Sequence, residues 1–127
     1  MWALLGDEKL PRPAKHLIED TRNTIFFSVV SLWEVALKKS LSKNGNTLPN
    51  TEELYSFCKQ AGYTELPIAS KHTMYLEYID GNATPIHKDP FDRMLICQGE
   101  TEGMLLVTSD KKIAQYPQES IFFTPHN

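Results

Sequence analysis

Apolar residues along this chain fall in short runs that switch between two spacings. Thr24-Ile25-Phe26-Phe27 is a β-branched and aromatic run of strand length, and Met104 to Val107 and Ile121 to Phe123 are two more. Tyr63 to Leu66 reads as a further short strand. Between these runs the spacing is helical. Trp33, Leu37 and Leu41 share one face of a helix over Leu32 to Leu41, which places Trp33 on its core side. Leu54, Phe57, Cys58 and Ala61 follow the i, i+3, i+4, i+7 template in a helix capped by Thr51 and stopped by Gly62. Further helices are predicted over Ala69 to Ile79 and from Asp89-Pro90 to Glu102, with a helical turn over Asp110 to Ala114. Pro13 opens a short helix through Leu17, Ile18 and Asp20, and residues 1–5 read as the end of a helix closed by Gly6 and Asp7. Ser42 to Asn50 and Asp80 to Lys88 are loops.

Short apolar strands separated by helices predict an α/β fold, with a mostly parallel sheet covered on both faces. Ligands of such open sheets bind outside the carboxyl ends of the strands, so that edge is where chemistry is expected. The 127 residues suit one domain spanning 1–127, without repeats or low-complexity tracts.

Composition narrows the class. A hydrophobic fraction of 41% with 23% charged residues is that of a globular chain rather than a disordered one. A net charge of −3 and a pI near 5.8 argue against a broad basic face for DNA and leave room only for local basic clusters. Cys58 and Cys97 lack Cys-x-x-Cys spacing and read as buried free thiols of a reducing compartment. The amino terminus has no basic segment before its apolar run, and no apolar stretch approaches the ~20 residues that span a bilayer. A cytoplasmic protein with no membrane contact is expected.

Acidic residues recur just past a strand or at the head of a helix: Glu34, the Asp89/Asp92 pair, and Asp110. Each has a structural reading. Ser31 and Glu34 fit a capping box, Asp89 before Pro90 fits an N-cap with Asp92 favouring the helix dipole, and Asp110 fits a cap of its short helix. As a group they also have a chemical reading. A hard divalent cation takes oxygen ligands and keeps several waters, so a few convergent carboxylates suffice to hold one. Such an ion reverses the local charge, which otherwise repels a phosphodiester, and activates water for hydrolysis.

Three segments carry a resemblance that goes further. Ser28-Val-Val-Ser-Leu-Trp-Glu34-Val-Ala-Leu-Lys38, His87-Lys-Asp89-Pro-Phe-Asp92-Arg-Met-Leu-Ile and Leu106-Val-Thr-Ser-Asp110 resemble, in order, the signatures of PIN-domain nucleases of the VapC toxin type. The resemblance implies a three-layer α/β/α fold and hydrolytic RNA cleavage. It implies a Mg²⁺ or Mn²⁺ ion held by Glu34, Asp92 and Asp110, which would be both metal ligands and catalytic residues. It implies restraint by a VapB-like antitoxin and a homodimer. Asp89 is assigned to capping or to support of the ligands, as are Ser28, Ser31, Thr108 and Ser109. Arg93, Lys38 and Lys111 are candidate phosphate contacts, with Lys39, Lys43 and Lys112 in the same neighbourhood. His87 is a weaker candidate for substrate, Trp2 and Trp33 are weaker candidates for base stacking, and no histidine has zinc spacing.

The chain departs from the family pattern at its start. The resemblance expects an apolar strand ending in aspartate before the stretch like Trp2-Ala-Leu-Leu-Gly-Asp7, and here only Met1 precedes it. The first strand and its aspartate are therefore expected to be missing, with Asp7 lying after a helix and so unable to replace that acid. The alternative to a nuclease is then an inactive PIN-like module that binds an antitoxin or RNA without cutting. A third class, an unrelated doubly wound binding protein, requires every acid to be a cap. The expectation for the gene is an in-frame apolar run closing in Asp-Thr directly upstream of Met1, and a stop codon there would refute it.

Overall fold

The computed structural model describes residues 1–6, 18–42, 50–79, 89–108, 111–116, 118 and 120–123. Among them, strands β1 (Trp2–Leu5), β2 (Thr24–Ser28), β3 (Thr64–Leu66), β4 (Leu105–Thr108) and β5 (Ile121–Phe123) form one sheet. The helices are α1 (Val29–Leu41), α2 (Thr51–Gln60), α3 (Ser70–Tyr75), α4 (Pro90–Glu102) and α5 (Lys111–Ala114). Sheet order is β3-β2-β1-β4-β5, and every neighbouring pair is parallel.

Alternation of side chains along the strands divides the core in two. Leu4, Phe26 and Leu106 face the larger cluster, where they meet Val30 of α1 and Leu95, Ile96 and Cys97 of α4. Ala3, Ile25 and Val107 face a smaller cluster, joined by Leu5, Ile18 and Tyr63. On that second side the Phe27 ring meets Tyr55 of α2 edge-on at 6.0 Å. Cys58 and Cys97 are both buried.

Two helix ends show how local sequence sets boundaries. Asp89 caps α4 and Pro90 occupies its first turn, while Gly103 ends it in the left-handed region at φ 66°. Asn50, not Thr51, caps α2, because its side chain accepts the Glu53 N–H at 2.8 Å. The helix expected over Ala69 to Ile79 is helical only over Ser70–Tyr75 and continues as hydrogen-bonded turns.

The amino terminus departs most from expectation. Residues 1–5 do not close a helix. Trp2–Leu5 is the middle strand, in register with Thr24 to Phe27 on one side and, through Ala3 to Leu5, with Leu105 to Val107 on the other. The middle of the sheet, expected to lack its first strand, is therefore filled by these residues. A four-residue apolar run carries no period of its own. Pairing with two distant strands decides its state, because backbone groups in the middle of a sheet must find partners.

Trp33, Leu37 and Leu41 also differ from expectation. All three are exposed, Trp33 at 51% and Leu41 at 72%, while Val30 and Val35 carry the buried side of α1. The spacing identified a face correctly, but that face points away from the sheet. The helix opening at Pro13 lies mostly outside the described residues, as do Asp7, most of both predicted loops, Ser109 and Asp110.

Gly6 continues β1 toward β4, its N–H donating to the Val107 carbonyl at 2.9 Å. A Cβ there would meet that same carbonyl oxygen at 2.9 Å and the Leu106 side chain at 3.1 Å. Gly6→Val should therefore push the middle strand off β4 and destabilise the fold by about 1–3 kcal/mol. Urea unfolding checks this, and an unchanged midpoint would contradict the close approach.

Candidate functional site

Ser28 is both the last residue of β2 and the cap of α1. Its hydroxyl oxygen accepts the Val30 N–H at 2.9 Å and its O–H donates to Gln98 Oε1. Because the helix begins at Val29, the Ser31–Glu34 capping box is not what fixes Glu34. Glu34 instead projects from the second turn, and its carboxylate lies 3.2 Å from Lys38 Nζ, one turn on.

Asp89 and Asp92 have separate roles at the head of α4. Asp89 Oδ1 accepts the amides of Phe91 at 2.9 Å and Asp92 at 3.3 Å, so Asp89 is the cap expected from sequence. Asp92 sits in the first turn, half-buried. Trp33 meets Phe91 edge-on, with ring centroids 4.6 Å apart. These aromatics are the chain neighbours of Glu34 and Asp92, and their contact joins the two acid-bearing helices. The result is visible on Lys38. Its pKa is raised above the ordinary lysine value by the hydrogen bond to Glu34 and by the charges of Glu34, Asp89 and Asp92, against a smaller lowering from burial.

The other candidates are more dispersed. Thr108 is fully buried at the carboxyl end of β4, and Ser31 is half-buried on α1. Asp110, Ser109, Lys43 and His87 lie outside the described residues. Arg93, offered as a phosphate contact, is half-buried and donates to the Tyr116 hydroxyl at 3.2 Å. Lys111 is exposed on α5. Among the described residues, no group of three or more His, Cys, Asp or Glu stands close enough to hold a metal ion. No helix among them is long and apolar enough to cross a membrane.

A buried polar chain behind the site escaped the sequence reading. From Ser28 it runs to Gln98, whose Nε2 donates to the Pro67 carbonyl at 3.3 Å and stands 3.5 Å from His72 Nδ1. His72 Nδ1 accepts the Ala69 N–H at 2.9 Å, which assigns the ring proton to Nε2, 3.2 Å from Glu102. Glu102 also pairs with Lys71 at 2.5 Å. Ser28, Gln98 and His72 are each no more than 1% exposed. The only sequence signal was a polar residue inside the apolar run of α4; its partners lie on other elements.

Comparison with known proteins identifies this architecture. The PIN domain family profile matches residues 1–119. The chain belongs to the PIN-domain family. A solved PIN-fold neighbour is the crystal structure of VapBC2 from Rickettsia felis, bound to a DNA fragment from their promoter. The two superpose with a TM-score of 0.70 at 20% identity, covering 100% of each chain. A search of curated protein sequences finds no match.

Two outcomes are expected of the buried chain. Gln98→Leu leaves the Pro67 carbonyl and one bond of Ser28 unmet and should cost about 1–3 kcal/mol in denaturant unfolding. Glu102 titrates below its ordinary value, first through its hydrogen bond to Lys71 and then through that to His72. A lowered folded-state pKa means stability that is present above the unfolded carboxylate range and lost as pH falls through the lowered value. Glu102→Gln should accordingly flatten the acid limb of a stability–pH profile, and an unaltered limb would remove Glu102 from its causes.

Proposed function

We propose that this PIN-domain protein is a metal-dependent endoribonuclease, the toxin component of a VapC-type toxin–antitoxin pair. The observation that carries this reading is the contact of Trp33 with Phe91, which brings the helices bearing Glu34 and Asp92 together in a PIN-family fold. The donors are carboxylate oxygens, which suit Mg²⁺ or Mn²⁺, and such ions need only one or two protein carboxylates beside water and substrate phosphate. Among the described residues no group of three acids stands close enough to hold the ion, so Glu34 and Asp92 are proposed as one or two ligands beside water. In this reading Glu34, Asp92 and Asp110 would hold the ion. Bound there, it would supply Lewis acidity at a scissile phosphodiester.

The remaining residues position and bind. Asp89 fixes the first turn of α4 and with it Asp92. Ser28, held between the Val30 amide and Gln98, fixes the start of the helix that carries Glu34. Ser31, Thr108 and Ser109 are proposed supports, and Lys38 and Lys111 are the exposed candidate phosphate contacts. Arg93 already donates to the Tyr116 hydroxyl from Nη1.

The middle strand also changes the standing of Asp7. This residue follows Leu5 and Gly6 in sequence, so it comes after a strand and not after a helix. Asp7 is therefore our candidate for the acid that the family pattern expects past the middle strand. A VapB-like antitoxin and a homodimer are the proposed partners. The exposed apolar stripe of Trp33, Leu37 and Leu41 supports a protein partner.

Incubation of the protein with mixed-sequence RNA should give cleavage with Mg²⁺ or Mn²⁺ and none after chelation. Asp92→Asn should lower the rate at least ~100-fold, a loss typical of removing charge stabilisation at a reacting centre, and Asp7→Asn should also lower it. Cleavage that survives thorough chelation would refute the mechanism. RNA or antitoxin binding without cleavage would instead favour an inactive binding module.

A further inference from the structure

Ser28 and Leu66 form the last backbone pair between β2 and β3. Pro67 follows at once and has no N–H with which to continue the ladder. Gln98 bridges the two strand ends at this point. Its side-chain amide offers an acceptor and donors, the same set as a peptide group. Oε1 accepts the Ser28 O–H, and Nε2 donates to the Pro67 carbonyl at 3.3 Å. A carbonyl can only accept, so the nitrogen of the amide must face Pro67 and the oxygen must face Ser28. His72 favours the same orientation. Its Nδ1 accepts the Ala69 N–H at 2.9 Å and so presents a lone pair, not a proton, to Gln98 Nε2 at 3.5 Å.

We propose that Gln98 is a positioning residue whose amide forms a side-chain rung between β2 and β3 and holds Ser28 as a fixed cap for the helix that bears Glu34. A serine hydroxyl has one proton. Here that proton is committed to Gln98, while the oxygen accepts the Val30 N–H at 2.9 Å. Ser28 is also fully buried, so it has no hydrogen to offer a substrate or a water at the sheet edge. It acts on Glu34 only through the backbone that it caps. Without the Gln98 oxygen, the buried O–H must turn toward another acceptor, and the Val30 amide loses its aligned partner. Gln98 stands less than two turns beyond Asp92 on α4, so the helix that carries one acid also holds the start of the helix that carries the other. The meaning of this rung for catalysis rests on the nuclease reading above; the rung itself does not.

The test uses the whole ¹⁵N-labelled chain and native-state hydrogen exchange followed by magnetic resonance. In the wild type the Gln98 side-chain NH₂ should exchange at least ~10-fold more slowly than that of Gln60, which is exposed at the end of α2. Ser28→Ala should speed exchange of the Val30 amide roughly fivefold, the loss expected of a helix cap. Gln98→Met, which keeps the length of the side chain and removes its amide, should do nearly the same although Ser28 is still present. The double variant should exchange no faster than Ser28→Ala alone, whereas two independent destabilisations would add. In RNA cleavage with MgCl₂, Gln98→Met should lower kcat and leave KM within about twofold. A Gln98 amide that exchanges like that of Gln60 would overturn the proposal without any variant having to fold. A Val30 amide unmoved by Gln98→Met, or additive effects in the double variant, would overturn it as well. If the wild type cuts no RNA, the nuclease reading fails and the exchange results alone decide for or against the rung.

Discussion

The two backbone ladders of Trp2–Leu5 are the interaction on which the rest of this structure depends. Each neighbouring strand, β2 and β4, has its second partner on the outer side, and only the middle strand joins the two halves of the sheet. The Met1 carbonyl accepts the Thr24 N–H at 2.7 Å and the Gly6 N–H donates to Val107, so pairing extends to both ends of this short run. Its side chains serve both cores: Leu4 is fully buried in one cluster and Ala3 in the other. Four residues thereby close two hydrophobic layers and satisfy backbone groups that would be costly to leave unpaired.

From that frame the site follows by short steps. Parallel strands end together, so Ser28 and Thr108 arrive at the same edge, with the starts of α1 and α4 nearby. The polar chain from Ser28 to Glu102 then ties β2, α1, the segment around Pro67, α3 and α4 to one another inside the protein. Such a network is favourable only when its members are paired, and its pairings link the helix that carries Glu34 to the helix that carries Asp92. Hydrophobic packing brings the helices together, and hydrogen bonds settle their relative placement.

Much of this was legible in the sequence where the determining chemistry is local. The bounds of α4 follow from Asp89-Pro90 at one end and Gly103 at the other, and the capping role of Asp89 follows from its place before Pro90. The alternation of short strands with helices specified the layers. What escaped was non-local. Trp2–Leu5 could be named a strand only by knowing that β2 and β4 flank it, and Gln98 and His72 acquire roles only from partners 26 to 70 residues away. The face bearing Trp33 was read as core because periodicity locates a stripe without saying which side the sheet covers.

The contact between Trp33 and Phe91 has a practical side. The chain holds two tryptophans, and Trp33 stands half in solvent with its ring against the helix that bears Asp92. Indole emission depends on the polarity and charge around the ring, so replacing Trp2 by phenylalanine would leave a single tryptophan, at the α1–α4 junction, excitable apart from the tyrosines. Opening or tightening of that junction would then register as a change in colour and intensity, without any label attached to the protein.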